Sequence, residues 1–296
     1  MSKPDGGAEA LYVKFWGVRG SIAAAGSRFE EFGGNTPCVE VRCGARLFVV
    51  DAGSGLMGLG AKLAASGPRE IDIVLSHLHL DHVCGLPFFK PLLTPDRHIR
   101  LHCGNLRGES AEEALSRLFS PPLFPISLSQ LPGRIEHHGF KSGGALTFHD
   151  GCTAGTIPLN HPGGATGYRF DFRGRAVCYI SDIEHSSPWP CPDLRDFITG
   201  ADLVIYDGMF SETEYLRCQG WGHSTWQKGV ALCQAAGVER LAVFHLHPQH
   251  DDGYLHELEQ EVKAAMPGAF LARDGCEISY PAVANPRKPA RMRSTG

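Results

Sequence analysis

Six consecutive positions constrain this chain more than any others. His77-Leu78-His79-Leu80-Asp81-His82 holds three imidazoles and one carboxylate. The residues before it, Glu70-Ile71-Asp72-Ile73-Val74-Leu75-Ser76, leave a Gly-Pro turn and are rich in β-branched side chains, the pattern of a buried strand. The polar residues therefore fall on the loop leaving the strand's C-terminal end, where α/β folds place chemistry. On such a loop His77 and His79 can point one way while Asp81 and His82 point the other, which suits two metal ions side by side. Neutral imidazole and carboxylate are the ligands that zinc, manganese and iron prefer. A single histidine on a polar loop is commonplace, whereas this packed pattern is not.

Further candidate ligands sit at the ends of other apolar runs. His161 lies in the Gly-rich turn Asn160-His161-Pro162-Gly163-Gly164, before an expected strand at Tyr168–Phe172. Asp182 follows the expected strand Ala176–Ile180, and His245 follows Leu241–Phe244. Each alone reads more readily as a loop residue, but together with the first four they make seven candidates at strand ends.

The order H-x-H-x-D-H, then His, Asp and His, resembles the metallo-β-lactamase fold superfamily, over nearly the whole chain from about Leu11 to Tyr280. The resemblance implies an α/β fold, an αββα sandwich of two mixed β-sheets flanked by helices, with the metal site along one edge. It implies that His77, His79 and His161 hold one metal, that Asp81, His82 and His245 hold the second, and that Asp182 bridges both. The expected cofactors are two divalent ions, Zn2+ first, with Mn2+ as a competent substitute. Lactamases of this fold usually carry Cys at the bridging position, so Asp182 argues against that activity. For substrate the motif is weak, because the superfamily cleaves lactams, thioesters, lactones, phosphodiesters and RNA.

Composition agrees with one soluble domain. Hydrophobic residues make up 43% and charged residues 20%, enough for a sizeable core, and no internal linker is visible between the outermost ligands. We expect a single domain over 11–282 and a disordered tail over 283–296. A net charge of −4 argues against a general nucleic-acid-binding surface. Neither a signal-like N-terminus nor an apolar run of membrane-spanning length is present, so the ten cysteines, none in a C-x-x-C pair, read as reduced thiols of a cytoplasmic protein.

Strands are expected at Tyr12–Trp16, Val39–Cys43 and Leu47–Val50, and helices at Leu56–Ala65, Glu109–Phe119, Thr225–Ala236 and Gly253–Met266. Between the third strand and first helix lies Asp51-Ala52-Gly53-Ser54-Gly55. The superfamily resemblance makes Asp51 a residue that steadies a metal-ligating histidine, a role that fixes tautomer and ring orientation. The alternative is a helix N-cap.

Two segments refine the resemblance. Lys14-Phe15-Trp16-Gly17-Val18-Arg19-Gly20-Ser21, with Gly33-Gly34-Asn35-Thr36-Pro37-Cys38, is similar to a branch that holds ribonuclease Z and cyclic phosphodiesterases, including the phosphonate-pathway enzyme and enzymes that degrade cyclic mononucleotide signals. Gly222-His223-Ser224-Thr225 resembles that branch's G-H-S-T motif, whose His protonates the leaving group. Asp207 falls where the ribonuclease branch has an acid paired with this His, although the preceding residue here is Tyr206. His223 could instead merely cap the helix that follows.

These features imply a phosphodiesterase on cyclic nucleotides or similar small diesters. A water shared by two cations becomes hydroxide near neutral pH and attacks phosphorus. Asp81 belongs to the catalytic group as well as to the ligands, and His223, charged and oriented by Asp207, protonates the ribose oxygen that leaves. A lactonase or glyoxalase-II-like thioesterase is the alternative, and a ribonuclease comes after it. Ribonuclease Z grips tRNA with an arm between the metal-site His and the bridging Asp, and the interval of 21 positions from His161 to Asp182 leaves no room for one. We expect a small phosphodiester substrate, no stable nucleic-acid partner and no membrane. The stretch Phe119-Ser120-Pro121-Pro122-Leu123-Phe124-Pro125-Ile126 reads as an exposed apolar loop, which suggests a homodimer whose loop covers the partner's site and a base-stacking role for Phe119 or Phe124.

Overall fold

The computed structural model describes residues 10–148 and 152–283; the expected tail, but for its first residue, lies outside them. Two seven-stranded mixed sheets form the molecule. The first contains β1 (Ala10–Gly17), β2 (Cys38–Cys43), β3 (Arg46–Val50), β4 (Glu70–Leu75), β5 (His98–Cys103), β6 (Arg134–Gly139) and β14 (Glu277–Pro281), in the order β14-β1-β2-β3-β4-β5-β6. The second contains β7 (Ala145–Thr147), β8 (Thr153–Leu159), β9 (Ala165–Phe172), β10 (Arg175–Ile180), β11 (Leu203–Asp207), β12 (Leu241–Phe244) and β13 (Ala269–Leu271), in the order β13-β12-β11-β10-β9-β8-β7. Each sheet has an antiparallel half and a parallel half. In the first, β3 to β6 run parallel; in the second, β10 to β13 do.

Side-chain alternation sorts the core into two layers. On β3, Phe48 and Val50 face the second sheet, while Leu47 and Val49 face outward. On β4, Val74 faces inward, while Ile71, Ile73 and Leu75 pack under α1 (Leu56–Ser66). Fully burying each of these aliphatic side chains is worth about 1.5–3 kcal/mol. The inner layer, with Phe15, Tyr168, Phe170 and Tyr179, glues the sheets face to face. The architecture is therefore the αββα sandwich expected from sequence.

Several local expectations are refined. The strand expected to include Ser76 ends at Leu75, because Ser76 turns its backbone and hydroxyl toward Asp51. The helix expected over 109–119 is α3 (Ala111–Ser116) followed by a 3-10 turn, and a Ser110/Glu113 capping box sets its start. Pro158 is tolerated within β8 because β7 pairs only as far as Gly155, leaving that side of β8 open.

The loop over 119–126 is not wholly an exposed apolar flap. Phe119 is only 1% exposed and belongs to the outer core, and Phe124 meets it edge-on at 5.7 Å while also touching Phe88. Base stacking by Phe119 is thereby excluded, and Leu123 is the exposed apolar residue of this loop. All ten cysteines are free thiols. Among the described residues no helix is long and apolar enough to cross a membrane.

Candidate metal centre

Four parallel strands end at one edge of the sandwich, and the chain bends sharply after each. Asp51 follows β3, Asp182 comes just after β10 and His245 follows β12, at φ 59°, 61° and 58° respectively. Non-glycine residues rarely adopt this left-handed backbone, and such strain clusters where function demands a particular aim. Here it turns the three side chains back into the cleft between the sheets. His77 to His82 leave β4 at the same edge, and α2 (Leu80–Val83) buries Asp81 and His82.

The seven expected ligands converge there. His77, His79 and His161 form one group, and Asp81, His82 and His245 form another. Asp182 lies between them: its Oδ1 is 3.9 Å from His77 Nε2, 3.8 Å from His161 Nε2 and 3.5 Å from His245 Nε2, while its Oδ2 is 3.1 Å from His82 Nε2.

The outward-facing nitrogens are tied elsewhere. His82 Nδ1 donates to Asp51 Oδ2 at 2.8 Å, and His161 Nδ1 donates to the Gly222 carbonyl at 2.8 Å. Their Nε2 lone pairs are thus aimed inward, where His82 Nε2 meets His245 Nε2 at 3.3 Å and His161 Nε2 meets His79 Nδ1 at 3.1 Å. His77 Nε2 is buried with no hydrogen-bond partner. Facing lone pairs and orphaned buried nitrogens are stabilised by cations between them, so these residues fit divalent metal binding.

Electrostatics point the same way. Burial pushes the His77 ring well below the usual imidazole range, with neighbouring imidazoles adding to the effect, and burial likewise lowers His79 and His161. Neutral imidazole is the ligating form. Burial acts to raise Asp81 and Asp182, but the surrounding imidazoles outweigh it and hold both carboxyls ionised. His82 goes the other way: despite burial, Asp182, Asp51 and Asp81 favour its charged form.

Asp51 is not an N-cap. Helix α1 starts after Gly55 with no side-chain cap. The Asp51 carboxylate instead accepts from Ser76 N–H at 2.7 Å, Ser76 Oγ at 2.8 Å, Tyr179 Oη at 2.6 Å and His82 Nδ1. Nor does His223 cap the helix Trp226–Ala236, whose N-cap is Thr225. His223 Nδ1 lies 2.9 Å from Asp207 Oδ2, and its ring stacks on His245. Asp182, Asp207, His223 and His245 also lie within ligating reach of one another. The His223 nitrogen facing Asp182 is, however, the one already engaged by Asp207.

Several supports escaped sequence reasoning. Ser21 N–H donates to Asp81 Oδ2 at 2.7 Å. Glu184 accepts from the Gly220 and Gly222 N–H groups and so pins the turn that presents His223. Gly222, at φ 88°, lies so close to His161 that an added Cβ would sit 2.3 Å from its Nδ1. Gly20 abuts His245 in the same way, its Cβ position 2.3 Å from Nδ1. The doubled glycines of Gly220-Trp221-Gly222 were the available signal for the first contact; Gly20 carried none beyond its place in Arg19-Gly20-Ser21.

The family model for the β-lactamase superfamily domain matches residues 46–246, which span every residue of this cluster. The chain belongs to that superfamily. It is a hydrolase of the metallo-β-lactamase fold. Ribonuclease Z of Gemmatimonas aurantiaca is 33% identical over 106 residues, covering 36% of this chain and only 32% of that protein. Ribonuclease Z of Porphyromonas gingivalis is 24% identical over 272 residues, covering 74% and 86%. Among solved structures, the metallo-β-lactamase fold protein YhfI from Bacillus subtilis aligns with a TM-score of 0.70 at 18% identity, covering 92% of this chain and 100% of that one. A diphosphatase of the PhnP family aligns with a TM-score of 0.67 at 18% identity, covering 92% and 98%. At these identities the structures share the fold.

Proposed function

We propose that this protein is a dinuclear metal-dependent phosphodiesterase acting on cyclic nucleotides or similar small diesters. The observation that carries the reading is the His223–Asp207 pair set beside the clustered ligands. His77, His79 and His161 would hold one ion, Asp81, His82 and His245 the other, and Asp182 both. A pair of divalent ions there supplies charge neutralisation for an anionic phosphodiester and a water acidified enough to attack at neutral pH.

The chain's own residues supply the rest. Burial depresses the His223 ring, but the charge and hydrogen bond of Asp207, with Asp182 and Asp81 further off, outweigh it and raise the ring to about 9. Asp207 therefore favours the charged form of His223. With Nδ1–H given to Asp207, the proton on Nε2 is the one free to move to the leaving ester oxygen. Asp207 keeps its bond to the ring through the transfer, so the neutral imidazole stays in place. A ribose alkoxide needs this proton, whereas a thiolate or activated lactone needs it far less.

A ribonuclease is the second reading, favoured by the names of the curated relatives. Against it, β9 and β10 are joined by the tight turn Arg173-Gly174, so the segment from His161 to Asp182 holds a hairpin and no arm. The reading also includes a homodimer in which exposed Leu123 meets a second copy.

The test is a panel on metal-reconstituted protein: cyclic nucleotides, an aryl phosphodiester, a precursor tRNA, lactones and thioesters. Turnover of at least one cyclic nucleotide ahead of lactones and thioesters supports the reading. Preferential tRNA cleavage supports the second reading, and faster lactone or thioester turnover removes both.

A further inference from the structure

Beside His77 and His79 opens a cavity of about 380 Å³, within the range of small-ligand sites. Leu78, Leu106, Leu115 and Leu118 make its bed, and the Gly163-Gly164 turn after His161 forms part of its wall. His223 is not among its lining residues. The attacking and leaving oxygens of a phosphodiester hydrolysis stand in line. The leaving arm therefore goes toward His223, and the retained arm is left for this cavity.

The loop above the cavity is built with the device that aims the metal-site residues. It follows β5 at the same sheet edge, and Asn105, Arg107 and Gly108 take φ values of 59°, 47° and 91°. Asn105 anchors it, donating from Nδ2 to Thr166 Oγ1 at 3.1 Å and lying against Gly164. The loop base is thus fixed, and Arg107 lines the cavity beside the Gly163-Gly164 turn, its Nη2 3.9 Å from where a Cβ on Gly163 would stand. Arg117, the neighbouring cation, is neutralised by Glu109. Arg107 is exposed and, among the described residues, has neither an ion-pair nor a hydrogen-bond partner. The guanidinium at the cavity mouth is therefore solvated and free to meet an anion, and its planar donor fork matches a phosphate.

We propose that this cavity seats the retained ester arm, and that this arm joins a planar or apolar group to a second anion met by Arg107. A nucleoside bearing a further phosphate has this chemistry. The inference rests on the phosphodiesterase reading and applies to its small open-chain diesters, because a cyclic mononucleotide carries both ester oxygens on one ribose and no second phosphate. In the reaction, a water oxygen bonds to phosphorus as the bond to the leaving oxygen breaks; the leaving oxygen takes a proton where it needs one, and the retained arm stays esterified in the cavity.

Three probes test it on the metal-loaded full chain: methyl p-nitrophenyl phosphate, thymidine 5′-(p-nitrophenyl phosphate), and the latter carrying a 3′-phosphate. All release nitrophenolate, so they differ only in the retained arm. kcat/KM should rise in that order. Arg107→Gln should shrink the gain from the 3′-phosphate by about tenfold, in line with the loss of one charge-assisted contact, and Arg107→Lys should restore part of it. Ala114→Phe, which narrows the cavity, should erase the thymidine advantage over the methyl ester. Equal kcat/KM on all three probes, or a 3′-phosphate gain untouched by Arg107→Gln, overturns the inference while leaving the phosphodiesterase reading intact. Hydrolysis of none of them overturns both.

Discussion

Asp207 grips the His223 ring at Nδ1 over 2.9 Å, and the same carboxylate oxygen receives the backbone N–H of Asp182 at 3.1 Å. One buried group thus sets both the protonation of the proposed acid and the position of the proposed metal bridge. The raised His223 value, about 9, carries a stability consequence. Its folded value lies above the unfolded 6.5, so the pair's contribution is complete below 6.5 and is lost as pH rises through about 9. In metal-free protein, Asp207→Asn should lower the His223 midpoint followed by imidazole NMR. It should also destabilise the fold more below that window than above it. A stability difference independent of pH would contradict the pairing.

Metal content tests the cluster. Elemental analysis after reconstitution should find two divalent ions per chain. Asp182→Ala should weaken both, because Asp182 faces both groups, whereas His161→Ala should mainly empty one. A single ion at saturation would rule out the bridging role.

Asp51 acts on the centre through His82. Removing such a support typically lowers metal affinity about 10–100-fold, and Asp51→Ala is expected to do so in a competitive chelator titration. Tyr179→Phe deletes one donor to the same carboxylate and should cost about 1–3 kcal/mol in denaturant unfolding. Unchanged metal affinity in Asp51→Ala would make Asp51 a purely structural residue.

The loop over 119–126 separates core from surface within a few residues. Phe119→Ala should destabilise by about 3–5 kcal/mol because it opens the outer core. Leu123, 80% exposed, should tolerate Ala within about 0.5 kcal/mol. If Leu123→Asp leaves the sedimentation behaviour of a dimeric wild type unchanged, Leu123 is not part of the proposed subunit contact.

What could be read from sequence follows from what local pattern records. The β-branched run before His77 and the ligand spacing after it place the fold edge and its chemistry, because strand periodicity and histidine clustering are local signals. The supports of that edge are tertiary. Tyr179 reads as a core aromatic in an apolar strand, and nothing local shows that its hydroxyl reaches Asp51, 128 positions away. Gly20 and Gly222 matter because another chain segment's imidazole lies against them. Strand β6, Arg134-Ile135-Glu136-His137-His138-Gly139, lacks apolar alternation; Glu136 ties it to His98 at 2.9 Å and to Arg100 at 3.7 Å, so its partners are ionic.

The role of His223 as the proton donor is tested most directly by comparing His223→Ala with the wild type on two diesters at equal metal content. A nitrophenyl diester releases a phenolate that leaves without a proton, and a cyclic nucleotide releases a ribose alkoxide that does not. General acid catalysis is worth about 10²–10⁴-fold where it is needed. His223→Ala should show a loss of that size on the cyclic nucleotide and a much smaller one on the nitrophenyl diester. An equal loss on both would make His223 a positioning residue, and loss of metal from the variant would make it a ligand; either result contradicts the assignment.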